Sequence, residues 1–95
     1  MDKVILKYQL SSPDRSLSVR IANGKSSKVL TVGVEEGKVT AWVEIERGTG
    51  VHALKFFVFA TGREFVLEPG ARHVNSIVMF NLVWHIYVSG EKEAN

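Results

Sequence analysis

The feature that most constrains this chain is its last apolar block, residues 76–88, which is apolar at nearly every position around Trp84 and Tyr87. A strand with one wet face alternates apolar and polar residues, so a near-continuous apolar run predicts a strand that is covered on both faces. The chain has 95 residues, so few of its own segments are available to cover both faces of this strand. We therefore expect a second copy to supply one of them, as in a homo-oligomer.

Length and composition predict a single domain. A content of 45% hydrophobic and 23% charged residues in a chain of this length is typical of one globular unit, here residues 1–95 with an ordered core at about 3–89. There is no cysteine, which excludes disulfides, thiolate zinc sites and cysteine nucleophiles. The apolar stretch Val4–Leu6 is too short for a signal peptide or a membrane span. We expect a cytoplasmic protein that does not enter a membrane.

The distribution of β-branched and aromatic residues predicts an all-β fold. These residues recur in short runs separated by Gly, Asn, Ser and Pro, and the polar segments 23–28 and 47–50 are expected to be loops. The pattern predicts a small single-domain sandwich or partly open barrel of about seven to eight mostly antiparallel strands. Outside two hairpins, the expected strands are Val4–Leu10, Ser16–Ala22, a central Val51–Ala60 and Phe65–Leu67, with turns at residues 11–14 and 68–70.

The first hairpin is predicted over Val29–Glu46, with Glu36-Gly37 as its two-residue turn. One face would then pair Val34 with Val39, Val32 with Ala41 and Leu30 with Val43, and the other would pair Gly33 with Thr40, Thr31 with Trp42 and Val29 with Glu44. This register places Trp42 away from the main core. An indole there either packs under a loop or takes part in recognition.

The second hairpin is predicted around Phe80-Asn81 within the last apolar block. One face would pair Met79 with Leu82, Ile77 with Trp84 and Asn75 with Ile86, and the other would pair Val78 with Val83, Ser76 with His85 and Val74 with Tyr87. The second face supplies the predicted interface residues His85, Tyr87, Val78 and Val83. The polar tail Ser89–Asn95 is expected to be frayed.

The sequence contains no recognisable catalytic motif. His52, His73 and His85 lie on separate segments without metal-binding spacing, so no metal site is expected. A serine, histidine and acid set can be assembled on paper from Ser76, His85 and Glu68, but no nucleophile elbow accompanies it. We expect a protein that is not an enzyme and that carries no cofactor.

Candidate binding residues cluster around the segment between residues 61 and 75. Arginine and asparagine supply the forked donors that carboxylate and phosphate groups need, and loops on a rigid β scaffold often carry binding residues. Ordinary loop composition explains the same cluster. The binding residues predicted on this basis, together with the isolated indole, are Arg63, Arg72, His73, Asn75 and Trp42.

Charge is distributed unevenly along the chain. Residues 1–28 contain six basic and two acidic residues, a net charge of +4, whereas the remainder contains six basic and eight acidic residues, a net charge of −2. A basic face with nearby aromatic rings is typical of nucleic-acid binding. This alternative would use Tyr8 or Trp42 for base stacking and, for phosphate contacts, Lys3, Lys7, Arg15, Arg20, Lys25 and Lys28.

The order of short motifs along the whole chain resembles a family of small uncharacterised proteins found mainly in bacteriophage and prophage genomes. The matching segments are Lys7-Tyr8-Gln9-Leu10, Lys28-Val29-Leu30-Thr31-Val32 with Gly37, Ala41-Trp42-Val43, Phe57-Val58-Phe59-Ala60-Thr61-Gly62 and Val83-Trp84-His85-Ile86-Tyr87. The chain departs from the family pattern at Ala41, where leucine is common, and in the loop between Gly62 and His73.

The resemblance implies a phage accessory protein, a context in which small proteins often disarm host defence. Our leading hypothesis from the sequence is a non-catalytic, homo-oligomeric binding module that acts on a host immune protein or its signal. The alternatives are the nucleic-acid-binding barrel and a nucleotide-signal sponge that uses Arg63, Arg72 and Asn75. An enzyme comes last.

Overall fold

A computed structural model describes residues 2–10 and 17–93, and the regular structure in these ranges is entirely β-strand, which confirms the all-β prediction. Five strands are present there, and every hydrogen-bonded pair is antiparallel. The sheet order is β1-β3-β5-β4, with β2 also paired to β3, and the sheet curls strongly into an open half-barrel. The strands are β1 (Lys3–Gln9), β2 (Leu17–Glu35), β3 (Lys38–Ala60), β4 (Arg72–Met79) and β5 (Leu82–Ser89).

The prediction of seven to eight strands was wrong because two expected loops lie inside long strands. Residues 23–28 belong to β2 and residues 47–50 belong to β3, so these strands have 19 and 23 residues. Bulges between Ala22 and Ser26 let the paired strands bend without separating. Asn23 takes up part of the bend at a φ of 56°. The expected strand Phe65–Leu67 is also absent, and the turn expected at residues 11–14 lies outside the described ranges.

The first hairpin forms around the predicted Glu36-Gly37 turn. The pairs of Val34 with Val39, Gly33 with Thr40, Val32 with Ala41 and Thr31 with Trp42 are confirmed. Beyond them the predicted register was wrong, because a bulge between Val29 and Thr31 shifts it so that Val43 pairs with Val29 and Glu44 pairs with Lys28. Val29 therefore fills the core position predicted for Leu30, which is 42% exposed.

The second hairpin turns at Phe80-Asn81 as predicted, and both residues have positive φ angles, 54° and 60°, as a type I′ turn requires. The confirmed pairs are Met79 with Leu82, Val78 with Val83, Ile77 with Trp84, Ser76 with His85 and Asn75 with Ile86. The predicted pair of Val74 with Tyr87 was wrong. A bulge between His73 and Asn75 places His73 opposite Tyr87 instead.

The concave side of the curled sheet forms the core. Side chains that alternate along β3 and β5 point into it, and the central position predicted for Val51–Ala60 is confirmed because β3 pairs with three other strands. The last apolar block is buried on this side except at Leu82, which is 48% exposed, and it is only partly covered on the other side, where Val83 is 40% exposed. The buried centre includes Ile21, Ala41, Val43, Leu54, Phe56, Ile86 and Val88, all at 0% exposure.

Polar side chains of β4 close the half-barrel against β2. The Asn75 side-chain amide accepts a hydrogen bond from the Val32 backbone N at 2.9 Å and donates to the Val32 backbone O at 2.6 Å. Arg72 Nη2 donates to the Val29 backbone O at 2.8 Å. Asn75 thus takes the place of a neighbouring strand's peptide group for Val32, and Arg72 does the same for the Val29 carbonyl.

The tail predicted to be frayed is docked over residues 90–93, which we call the C-terminal strap. The Ser27 backbone N donates to the Lys92 backbone O at 2.8 Å, and the Val29 backbone N donates to Glu91 Oε2 at 2.8 Å. Gly90 has a φ of 87°, and a Cβ there would lie 2.3 Å from the Ala53 backbone O. Only glycine fits this close approach, so Gly90 directs the strap back along β2.

Candidate interaction site

The convex side of β3, β5 and β4 gathers the predicted interface residues on one surface, which we call the outer face. Cross-strand pairing places Val78 beside Val83, Ser76 and Phe59 on either side of His85, and His73 and Phe57 on either side of Tyr87. Alternation along the hairpin therefore brings the four predicted interface residues together, because residues two apart share a face. The outer face consists of Phe57, Phe59, His73, Ser76, Val78, Val83, His85 and Tyr87.

His85 is held at the centre of the outer face by two hydroxyl groups. The Ser76 Oγ lies 2.9 Å from Nδ1 and the Thr61 Oγ1 lies 2.7 Å from Nε2. Glu68, the third member of the catalytic set considered above, instead accepts hydrogen bonds from Ser89 Oγ at 2.9 Å and Lys55 Nζ at 3.1 Å. These bonds, chiefly the one from Ser89, lower the pKa of Glu68. The described geometry therefore fixes the His85 ring without bringing Glu68 to it.

Aromatic rings pack across the outer face. The Phe59 and Phe65 rings stack with centroids 3.9 Å apart, and both contact Tyr87 at centroid distances of 6.0 and 5.8 Å. The His73 ring meets Tyr87 edge-on at 5.1 Å. Phe65, predicted to lie in a strand, thus serves as a partial lid over this half of the face.

The hairpin tip next to these rings is apolar and open to solvent. Phe80 is 74% exposed and Val78 is 70% exposed, while Leu82 and Val83 are 48% and 40% exposed. Sequence reasoning assigned Phe80 only to a turn and Leu82 only to a strand pair with Met79. A large apolar residue in a turn was the signal that would have identified Phe80, because turns usually carry polar residues.

The predicted binding residues do not form one site. Arg72 and Asn75 bond the β2 backbone, His73 lies on the outer face, and Arg63 is exposed in the segment between β3 and β4. Trp42 is half-buried on the convex side of the first hairpin, where a Cβ on Gly33 would lie 3.4 Å from the indole Cζ3. The side-chain donors of Arg72 and Asn75 are therefore used in hydrogen bonds to the protein's own backbone.

Three of the eight residues assigned to nucleic-acid binding are engaged elsewhere. Lys3 Nζ pairs with Glu44 Oε1 at 3.4 Å, and Lys7 pairs with Glu35. The Tyr8 ring packs against the core, and burial raises the pKa of its hydroxyl. Arg15 lies outside the described ranges, and Arg20, Lys25 and Lys28 are exposed.

The described part of the chain has neither a metal-binding cluster nor a membrane-spanning helix. No group of three or more His, Asp or Glu side chains there is arranged to hold a metal ion. Residues 2–10 and 17–93 also form no helix with the length and apolarity needed to cross a membrane.

Comparison with known proteins places the chain in a family. No curated protein and no solved structure matches it. The model of one family, a domain of unknown function termed DUF7352, matches residues 1–95. Because that match spans the whole chain, the protein belongs to the DUF7352 family.

Proposed function

We propose that this protein is a non-catalytic binding module that works as a homo-oligomer assembled through its outer face and the adjoining hairpin tip. The exposed apolar tip supports this most directly, because monomeric proteins rarely leave adjacent large apolar side chains in water. Burying a valine or phenylalanine side chain contributes about 1.5–3 kcal/mol, so a few such residues stabilise an interface.

A second copy is the occupant that this surface fits best. The eight residues of the outer face include no Lys, Arg, Asp or Glu, although 23% of the chain is charged. The adjacent Lys55, whose Nζ lies 5.9 Å from the Phe57 ring centroid, is paired with Glu68. The eight residues therefore offer little for an oppositely charged partner to recognise, and two identical copies of them meet without like-charge repulsion. The same surface on both subunits is the arrangement of a two-fold dimer.

The test compares two valines by light scattering at micromolar concentration. The wild-type chain and Val51→Lys should show a mass of at least two 10.6 kDa chains, and Val78→Lys should show one. Val51 is 55% exposed on β3 and lies outside the outer face, so it is a matched control for Val78. A single-chain mass for the wild type would overturn the proposal.

The finer proposal is that the module is phage-encoded and binds a host immune protein or its signal in the cytoplasm. Its support is the sequence resemblance described above. Expression of the chain in bacteria that carry a defence system should restore plaque formation by a sensitive phage, and Val78→Lys should lose that effect. Unchanged plating across a panel of defence systems would argue against this role.

The nucleic-acid alternative has less support, since Lys3 and Lys7 are ion-paired and Tyr8 packs on the core. It predicts binding to oligonucleotides that weakens steeply with salt. Fluorescence anisotropy at low ionic strength distinguishes it from self-association.

A further inference from the structure

A second candidate site, which is concave, lies where the C-terminal strap crosses the half-barrel. The strap and Arg72 bound a groove of about 470 Å³ over β1, β2 and β3, and none of its lining residues belongs to the outer face. This volume is within the range of small-molecule sites. The lining residues are Lys3, Ser26, Ser27, Lys28, Glu44, Glu46, Arg72, Glu91, Lys92 and Glu93.

The groove carries equal numbers of positive and negative groups, four of each. Two ion pairs hold part of its wall in place: Arg72 with Glu91, and Lys3 with Glu44. The pKa of Glu91 is lowered by the hydrogen bonds from Arg72 and the Val29 backbone, against the opposing effect of burial. The strap carboxylate is therefore ionised and is a fixed part of the wall.

Among the remaining charged groups of the lining, a carboxylate belongs to a buried residue and the lysines are exposed. The lining carboxylate of Glu46 belongs to a residue only 4% exposed, and its hydrogen bond from Ser26 Oγ is long, at 3.4 Å. Lys28, Lys92 and Glu93 are exposed, and neither lysine makes an ion pair with the other described residues. A buried carboxylate requires a strong donor, and its two oxygens accept up to four hydrogen bonds.

We infer that this groove binds a small zwitterion, an α-amino acid or a dipeptide. The ligand's ammonium group contacts Glu46, and its carboxylate contacts Lys28 and Lys92. A lining with no net charge favours a ligand that carries both charges over a simple cation or anion. The inference concerns a site separate from the proposed oligomer interface, so the two can fail independently.

The test is an NMR titration of the isotope-labelled full chain with glycine and with the dipeptide glycylglycine. Shifts should concentrate at Ser26, Ser27, Lys28 and Lys92, and methylammonium or acetate alone should bind at least about tenfold more weakly. Glu46→Gln should weaken binding by about tenfold or more, whereas Glu36→Gln, in the exposed β2–β3 turn, should not change it.

Three results would overturn the inference. These are no saturable shifts for either zwitterion at millimolar concentration, equal binding of methylammonium alone, and unchanged affinity in a Glu46→Gln chain whose spectrum is otherwise native. Lys28→Gln with Lys92→Gln provides a second test if Glu46→Gln fails to fold. That double variant alters only exposed side chains and should lose affinity for the ligand's carboxylate.

Discussion

The two hairpin tips of this protein have the same turn geometry but present different chemistry to solvent. Glu36-Gly37 has φ angles of 52° and 74°, and Phe80-Asn81 has 54° and 60°. The first position of the turn is thus a glutamate in one hairpin and a phenylalanine in the other. Ion-paired and charged side chains surround the first tip, whereas the second is apolar. The turn needs only positive φ, so the apolar residues of the second tip serve another purpose, which we assign to self-association.

The largest expected effect is on self-association. It comes from giving each hairpin tip the first turn residue of the other tip. Phe80→Glu should weaken self-association by about 30-fold or more, because it places a charge where the proposed interface buries an apolar anchor. The turn should persist, since Glu36 already occupies the same geometry. Sedimentation velocity measures the change. The reciprocal Glu36→Phe should leave the association constant of the outer face unaltered, and a Phe80→Glu chain that still associates would contradict our assignment.

The next effect concerns stability, at the closure between β4 and β2. Asn75→Leu should lower the free energy of unfolding by about 2–3 kcal/mol, because both backbone groups of Val32 lose their partner. Chemical denaturation measures the loss. Ser76→Ala, a change one residue along on the outer face, is the control and should cost less than half as much. Similar losses for the two variants would mean that the Asn75 bridge contributes little.

A smaller effect is expected from the turn backbones themselves. Gly37→Ala should cost about 1 kcal/mol, because alanine is strained at a φ of 74°. Asn81→Gly should instead raise the free energy of unfolding by a few tenths of a kcal/mol, since glycine adopts positive φ without strain. Thermal melts of the two variants at matched concentration test both signs. A stabilising Gly37→Ala would show that the first turn is not the one described.

The smallest effect is a dependence of stability on pH through His52. Its Nε2 lies 2.6 Å from Ser27 Oγ, and burial together with nearby Lys92 lowers its pKa below the ordinary value of 6.5. As the pH falls, His52 therefore becomes protonated in the unfolded chain at a higher pH than in the folded protein. The contribution of His52 to stability is intact above about pH 6.5 and declines as the pH falls below it.

The variant His52→Gln should show a shallower decline of the melting temperature than the wild type in this acidic range. Lys92→Gln should have an intermediate slope, because one of the two causes is removed. Identical slopes for wild type and His52→Gln would contradict this account of the His52 site.

The sequence predicted the features that depend on alternation and turn chemistry. The positions of both turns, the pairs nearest to them and the shared face of Val78, Val83, His85 and Tyr87 follow from the period of two in a strand. The predicted strand register fails beyond the bulges. One extra residue at Leu30 or Val74 shifts the register, and neither residue type marks such an insertion in the sequence.

The strand count failed for a related reason. Glycine, asparagine and serine at residues 23–28 and glycine at residues 47–50 are typical of loops. The ladder between β2 and β3 nevertheless continues through the bend, where Gly24 pairs with Arg47 and residues 48–50 have no partner in β2. The donors of Arg72 and Asn75 were recognised as binding groups, yet the curl of the sheet brings the β2 backbone to them. The strap groove depends on the same curl, so no local pattern indicated it.

The most direct test of the central claim is the solvent exposure of individual valine methyl groups at low and high protein concentration. Methyl-labelled protein with a soluble paramagnetic probe reports Val78, Val83 and Val51 in one spectrum. Our account predicts that Val78 and Val83 become protected from the probe as concentration rises, while Val51 stays as accessible as before. Unchanged accessibility of Val78 and Val83 across a concentration range that spans association would contradict it.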